Sequence, residues 1–565
     1  MGENLAPSNG SSSNSKVPSF DEPVEWEITS TKVDTHLGVR NDNKPRDYRA
    51  LMPKLYRRYN FPTQGGTKKK FVPRGVIERL STESEIKTII KDEALAKYVS
   101  RHLRTMFVIS CHCSKEKTEE CMAFAREKGY KDSSLPLSND ENSETLFGAF
   151  VNFEGPFCSP IFKKDEQLNL TLHWSVPIWL CGHIGSGCFS NVYKVKIHPD
   201  HDQLQEPTSQ YYAMKSYNKV NGILSYDRES EFHAQLAGIK HENIVRPLTH
   251  WTYESSYYML FPCADYNLEE YMKKKTIQLS SQQMVQWVLK QIWDLSGALR
   301  AFHDVKSATK ELSGYHMDIK PENVLVFKSD NMKECYLGLS DFGCGKITAL
   351  ISRSQSGGGH RSHQTEHKMG NLTFQAPEAY PNKKCGRKAD IWSMGAVFLE
   401  IMVWLLLGPN KLDKFRDKRE GTVVPEPEIK DSRLFIMREG KALLRAAVDK
   451  MIRDIKAISS DYKLFAILIT TVEKMLQLNA NDRPDARKVF EDLSPLGNVT
   501  EQVCADTISD NITKMRIYDS WDPAIDGSSE GESHDSGLVI TVTEHIGVDG
   551  TRDLVVLGAG TNEGT

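Results

Sequence analysis

The sequence has no uninterrupted apolar run long enough to cross a bilayer. Its strongest candidate, MGAVFLEIMVWLLLG from Met394 to Gly408, carries Glu400 inside it and is shorter than the roughly 20 residues a spanning helix needs. A buried core helix is therefore expected there, and no membrane insertion. Net charge is also nearly absent: 72 basic against 75 acidic residues leave -3. That excludes a global electrostatic pull toward nucleic acid or an anionic surface. The eleven cysteines are odd in number and scattered, which excludes a regular disulfide framework and points to an intracellular setting, cytoplasmic or nuclear. The first twenty residues lack the apolar stretch of a signal peptide, and Ala6 stands where a myristoylation pattern wants Ser or Thr.

What is present is enough for a sizeable core: 565 residues, 39% of them hydrophobic, sufficient for two or three domains. Residues 1–20 are Ser/Asn/Gly-rich and expected to be disordered. Residues 21–165 form a mixed N-terminal region without a recognisable role. Within it Ser84–Met106 reads as one helix, on the spacing of Ile86, Ile89, Ile90, Leu95, Tyr98, Val99 and Leu103, and Thr118–Lys128 as a second. Residues 170–497 open with strand signals and turn helical from about Ser280. Residues 498–565 are acidic and Ser/Gly-rich, a largely disordered tail in which two short apolar runs, Leu538–Thr543 and Leu554–Leu557, can pair. The reading is an α+β chain.

Chemistry concentrates in the third segment. Ile184, Gly185, Ser186, Gly187 and Cys188 lie between two strand-like stretches, a turn whose missing side chains let backbone N–H groups approach phosphates. Taken alone this is weak, and Ser190 replaces the third glycine of the pattern. Tyr212-Ala213-Met214-Lys215 then puts one lysine on an apolar strand. The following run, Tyr226–Leu236, offers Glu231, or else Glu229, as its ion-pair partner. Further on, His316-Met317-Asp318-Ile319-Lys320-Pro321-Glu322-Asn323 places a carboxylate, an ammonium and an amide within six residues. Asp318 suits a hydroxyl proton, Lys320 the charge on a transferring phosphate, and Asn323 a magnesium ion. Asp341-Phe342-Gly343 adds a second metal-binding carboxylate, and Ala376-Pro377-Glu378 follows.

In this order and spacing, the residues from about Trp179 to Leu496 resemble the eukaryotic protein-kinase domain. The resemblance implies a two-lobed fold, a small β-rich lobe with one helix and a large helical lobe. It also implies ATP and Mg2+ as cofactors, and proteins carrying Ser or Thr as substrates. Lys320 belongs to the serine/threonine form of the family. By the same resemblance, Asp390 opens the central hydrophobic helix, Arg483 pairs with Glu378, Phe261 stands at the gatekeeper position, and Pro262 and Ala264 make the hinge. Val192 and Ala213 above and Leu325 below would enclose the adenine. The N-terminal extension and the stretch His198–His201 (HPDH) also resemble a group of fungal kinases.

Departures from the family pattern are few but pointed. Met317 replaces an arginine that pairs with a phosphate on the activation segment, and Asn371 replaces a threonine that supports the catalytic aspartate. Neither removes a reacting group, so a Ser/Thr protein kinase is the favoured reading and a nucleotide-binding pseudokinase scaffold the alternative. Cys111-His112-Cys113 with Cys121 is too tightly spaced for ordinary zinc geometry. The histidines His360, His363 and His367 belong to a loop-like, glycine-rich stretch.

Overall fold

A computed structural model describes residues 46–59, 61, 69–137, 148–186, 190–204, 210–217, 226–227, 230, 234, 241–254, 256–274, 281–304, 312–328, 335–342, 346–349, 365–366, 372–379, 384–419, 432–460, 462–497, 542–546 and 552–556. Alternating β-formers in Ile178–Ser186, Ser190–Ile197, Tyr212–Tyr217, Thr249–Tyr253 and Ser256–Pro262 make five antiparallel strands. A sixth strand, Gln167–Leu170, adds in parallel to the Thr249–Tyr253 edge. The sheet is therefore mixed.

Because paired residues share a face of a sheet, the register sorts its side chains into two sets. Val192 pairs with Lys215, and Lys215 with Met259. Lys194 likewise pairs with Ala213, and Ala213 with Phe261. Those residues form one face. Met214, Leu260, Tyr258 and Trp251 form the other, and all four are buried in one cluster with Phe61, Phe71 and Phe162. This second face is thus covered by residues that precede the five strands in sequence.

The helical part has its own core around Arg387–Leu407, a helix apolar on nearly every side and therefore buried. Among the described residues it alone is long and apolar enough to cross a membrane, and 83% of that apolar window is packed inside the protein. Glu400, an acid midway along it, is held by Arg416 and Arg419 at 2.5 and 2.9 Å. Helices Ser281–His303, Ala446–Ser459 and Lys463–Met475 pack into the same core.

The N-terminal region builds a third core, from Tyr48 to Cys158. Where the periodicity predicts a single helix over Ser84–Met106, the chain makes Glu83–Ile89 and Glu93–His102, then enters Arg104–Cys113. Asp92 explains the break, because its side chain accepts from the Leu95 N–H and restarts the helix as an N-cap. Residues 517–565 form a second unit, of which the described part is an antiparallel hairpin, Val542–Ile546 with Arg552–Val556.

The HPDH stretch ties the third core to the sheet. The backbone N–H of Gly75 donates to Asp200 Oδ2 at 2.8 Å, and that of Arg74 to His201 Nε2 at 3.2 Å. His201 Nδ1 in turn donates to the Pro160 carbonyl, so the ring is neutral with its proton on Nδ1. Burial pushes His198 and His201 down to about 4, against the pull of Asp200 and with Arg57 and Arg74 nearby. The fold thus refuses protons that the unfolded chain binds, and stability rises with pH where their populations differ. Unfolding in urea is expected to lose stability as pH falls from about 6.5 to about 4, and His201→Gln to flatten that slope. An unchanged slope would contradict the assignment.

Candidate active site

The segment His316–Asn323 has no regular structure for most of its length, so its shape must come from contacts. The main contact is Asp390, a carboxylate 1% exposed at the start of the central helix. It accepts from the backbone N–H of His316 at 2.9 Å and of Met317 at 2.8 Å, and from His303 Nε2 at 2.9 Å. Burial alone would raise its pKa, but the His303 bond and the adjoining histidines and N–H groups hold it below the usual carboxylate range. His316 donates from Nε2 to the Ser340 carbonyl and accepts on Nδ1, and burial keeps it neutral.

Asp318 then sits in a fixed frame. Lys320 Nζ reaches its Oδ2 at 2.9 Å, and Asn323 Nδ2 donates to both its Oδ2 and its main-chain carbonyl. Burial works against the Lys320 charge, but the Asp318 carboxylate outweighs it and raises the lysine's pKa. Both Asn323 bonds use its amino group. The carbonyl oxygen, the atom a hard cation takes, is left for another partner.

Ser340 locks this frame to the strand behind it, donating from both its N–H and its hydroxyl to the Asn323 carbonyl at 2.9 Å. The next residue, Asp341, is 48% exposed and has φ 58, and Met317 has φ 67. Non-glycine residues held in the left-handed region cost roughly 1–3 kcal/mol each and collect at functional sites. Asp341 Oδ1 accepts from Lys215 Nζ at 2.9 Å. Phe342 is buried against His316 and Phe302.

The sheet face that carries Lys215 also carries Val192, Ala213 and Phe261. Pro262 ends the same strand and Ala264 follows it, both half-buried. Leu325 lies on Val324–Phe327, opposite Asn267. In the turn before Val192, Gly185 pairs with Val192 across a strand irregularity, Ser186 donates to Asn191, and Ile184 is exposed. Gly187, Cys188, Glu229, Glu231 and Asn371 lie outside the described residues. Among the described residues, Lys215 pairs with Asp341.

Glu378 and Arg483 join as a two-pronged ion pair, at 2.7 and 2.8 Å. The arginine is fully buried over the Trp392 ring, and donates to the carbonyls of Gln477, Lys388 and Leu478. The sequence reasoning missed His303 and Ser340. His303 lies 87 positions from its partner in an ordinary helix, and Ser340 differs from any strand-end serine only through Asn323.

The protein kinase domain profile matches residues 180–493, more than half of the chain. The chain belongs to the protein kinase family. Its relatives in that family are distant. The Probable LRR receptor-like serine/threonine-protein kinase RPK1 of Arabidopsis thaliana is 28% identical over 225 residues, 39% of this chain and 35% of that protein. The Probable serine/threonine-protein kinase PBL16 of Arabidopsis thaliana is 25% identical over 405 residues, 70% of this chain and 86% of the relative. The human Serine/threonine-protein kinase ULK3 is 26% identical over 228 residues, 40% of this chain and 41% of that kinase. The chain thus spans less than half the length of two of these three kinases.

Arg483→Ala is expected to lower stability by about 3–5 kcal/mol, since it strands the Glu378 carboxylate and three carbonyls. Urea denaturation followed by circular dichroism measures this. A change under about 1 kcal/mol, the scale of a surface pair, would contradict the role given to the pair.

Proposed function

We propose that this kinase transfers the γ-phosphoryl group of ATP to Ser and Thr hydroxyls of proteins, inside the cell, in the cytoplasm or nucleus. The observation that carries the reading is the convergence of Asp318, Lys320 and Asn323 within hydrogen-bond distance. In this reading the six-stranded sheet is the small lobe and the helical core the large lobe. Adenine lies against Val192, Ala213 and Leu325, with Phe261 as gatekeeper and Pro262 and Ala264 at the hinge. The turn from Ile184 to Cys188 covers the phosphates.

Asn323 and Asp341 offer oxygen donors, which fit Mg2+. When bound, the ion neutralises phosphate charge and ties the phosphates to the cleft. Lys215, already drawn to Asp341, holds the α- and β-phosphates, with Glu231 as its helix partner. Asp318 accepts a hydrogen bond from the substrate hydroxyl, aligns its oxygen and takes its proton. Lys320 stabilises the negative charge on the group in transit. Catalysis of this kind is mostly positioning and electrostatics, which is why the backbone anchors on Asp390 matter as much as the reacting groups.

Two outcomes test the reading. Asp318→Asn keeps the shape but not the base, so phosphate transfer to a Ser/Thr peptide should fall about 10²–10⁴-fold while Mg-ATP still binds. Equal rates in both proteins would remove Asp318 from the mechanism. The second concerns control. Met317 packs against the core and has no charge to offer a phosphate on the activation segment. Phosphatase treatment of the purified protein should therefore leave the transfer rate essentially unchanged, and a drop by an order of magnitude would show that the segment is read by another cation.

A further inference from the structure

The family's own domain begins at residue 180, yet one whole face of its sheet is covered by residues before that point. Trp251 stacks on Tyr258 at 5.3 Å and is met by Phe61 at 6.3 Å and Phe162 at 5.2 Å. Phe61 also packs on Tyr258 at 5.0 Å and Tyr253 at 5.6 Å. The three rings under this cover are on the strand flanking the lysine strand, Tyr258, and on the next one out, Trp251 and Tyr253. Removed from it, they would be large apolar surface in water.

The cover is fastened at two places. Along one edge, Gln167–Leu170 runs parallel to Thr249–Tyr253, reinforced by Thr249 Oγ1 donating to the Glu166 carbonyl at 2.7 Å. At the far end, the HPDH turn, which connects the strands bearing Val192 and Lys215, receives the N–H groups of Arg74 and Gly75. Phe71 stands edge-on to both His198 and His201, at 5.3 and 5.6 Å. A Cβ at Gly75 would lie 2.8 Å from Asp200 Oδ2, so a larger residue there would make the carboxylate shift.

We infer that residues 46–170 act as an intramolecular clamp on the sheet, and that its docking through Asp200 and the edge strand sets the order of the lysine strand and hence the nucleotide cleft. The coupling path is physical and short. Asp202, next to the HPDH turn, accepts from the Tyr212 hydroxyl at 2.6 Å, and the edge strand reaches Tyr212–Tyr217 through two hydrogen-bonded neighbours. By this account, control of the kinase acts from its N-terminal side. The inference rests on the cleft assignment only for its nucleotide arm, because strand order is measurable without ATP.

The test is hydrogen exchange on the full chain, comparing Asp200→Lys with the conservative Asp200→Asn. Asp200→Lys places an ammonium against N–H donors, whereas Asp200→Asn keeps an acceptor oxygen. The expected result is faster exchange in both 74–80 and 212–217 for Asp200→Lys, near wild-type exchange for Asp200→Asn, and no change in the central helix 387–407. Mg-ATP affinity, read by titration calorimetry, should fall about tenfold in step, within the usual range of coupling between sites. Exchange that rises in 74–80 but not in 212–217, with affinity intact, would overturn the clamp. So would exchange in 74–80 that does not rise at all. Should Asp200→Lys lose the fold outright, Gly75→Ala presses on the same contact more gently and is read by the same criteria. A wild-type chain that bound no Mg-ATP would instead count against the kinase reading and leave the strand-order result to decide the clamp.

Discussion

The buried carboxylate of Asp390 is the interaction on which the rest of the site depends. It is an ionised group with almost no water contact, and such a group is tolerable only when its lone pairs are filled. Here two backbone N–H groups and a histidine fill them. Those bonds hold a segment of irregular backbone in one shape, including the left-handed turn at Met317. Asp318, Lys320 and Asn323 inherit their positions from it, and Ser340 extends the same frame to Asp341. A chain that lost this anchor would still contain every reacting group, without the geometry that makes them a site.

Much of this was legible in the sequence because kinase chemistry is carried by short, local motifs. Asp318, Lys320 and Asn323 lie within six residues, so chain connectivity keeps them close and the Asp390 anchor has only to set their geometry. Arg483 and Glu378 are 105 positions apart and meet as the family resemblance implies. The apolar run around Glu400 is a core helix, and its charge is balanced by two arginines from the next helix. The expected partner of Lys215, Glu231 or else Glu229, lies outside the described residues, and among those described Lys215 meets Asp341, brought from across the chain by the end of a different strand.

The rest was hidden for physical reasons. Helix periodicity over Ser84–Met106 is nearly continuous, and only the capping geometry at Asp92 reveals the interruption. His303, His198 and His201 look like surface or loop histidines until burial and their partners are seen. Least visible was the cover over the sheet. Phe61, Phe71 and Phe162 are single aromatics in unremarkable surroundings, and their role depends on a face of the sheet that the register defines only once the strands are paired. The N-terminal region was separate in sequence character but shares a core with the sheet.

Two features then belong together: Met317, uncharged and packed against the helical core, where the family pattern has an arginine, and a sheet packed on residues from before the family's domain. The most direct test of the central claim is incubation of the full chain with Mg-ATP and a mixed peptide library, with products located by mass spectrometry. The account predicts phosphate on Ser and Thr side chains and none on Tyr. A library left unmodified by protein that binds Mg-ATP, or modified on Tyr, would contradict it.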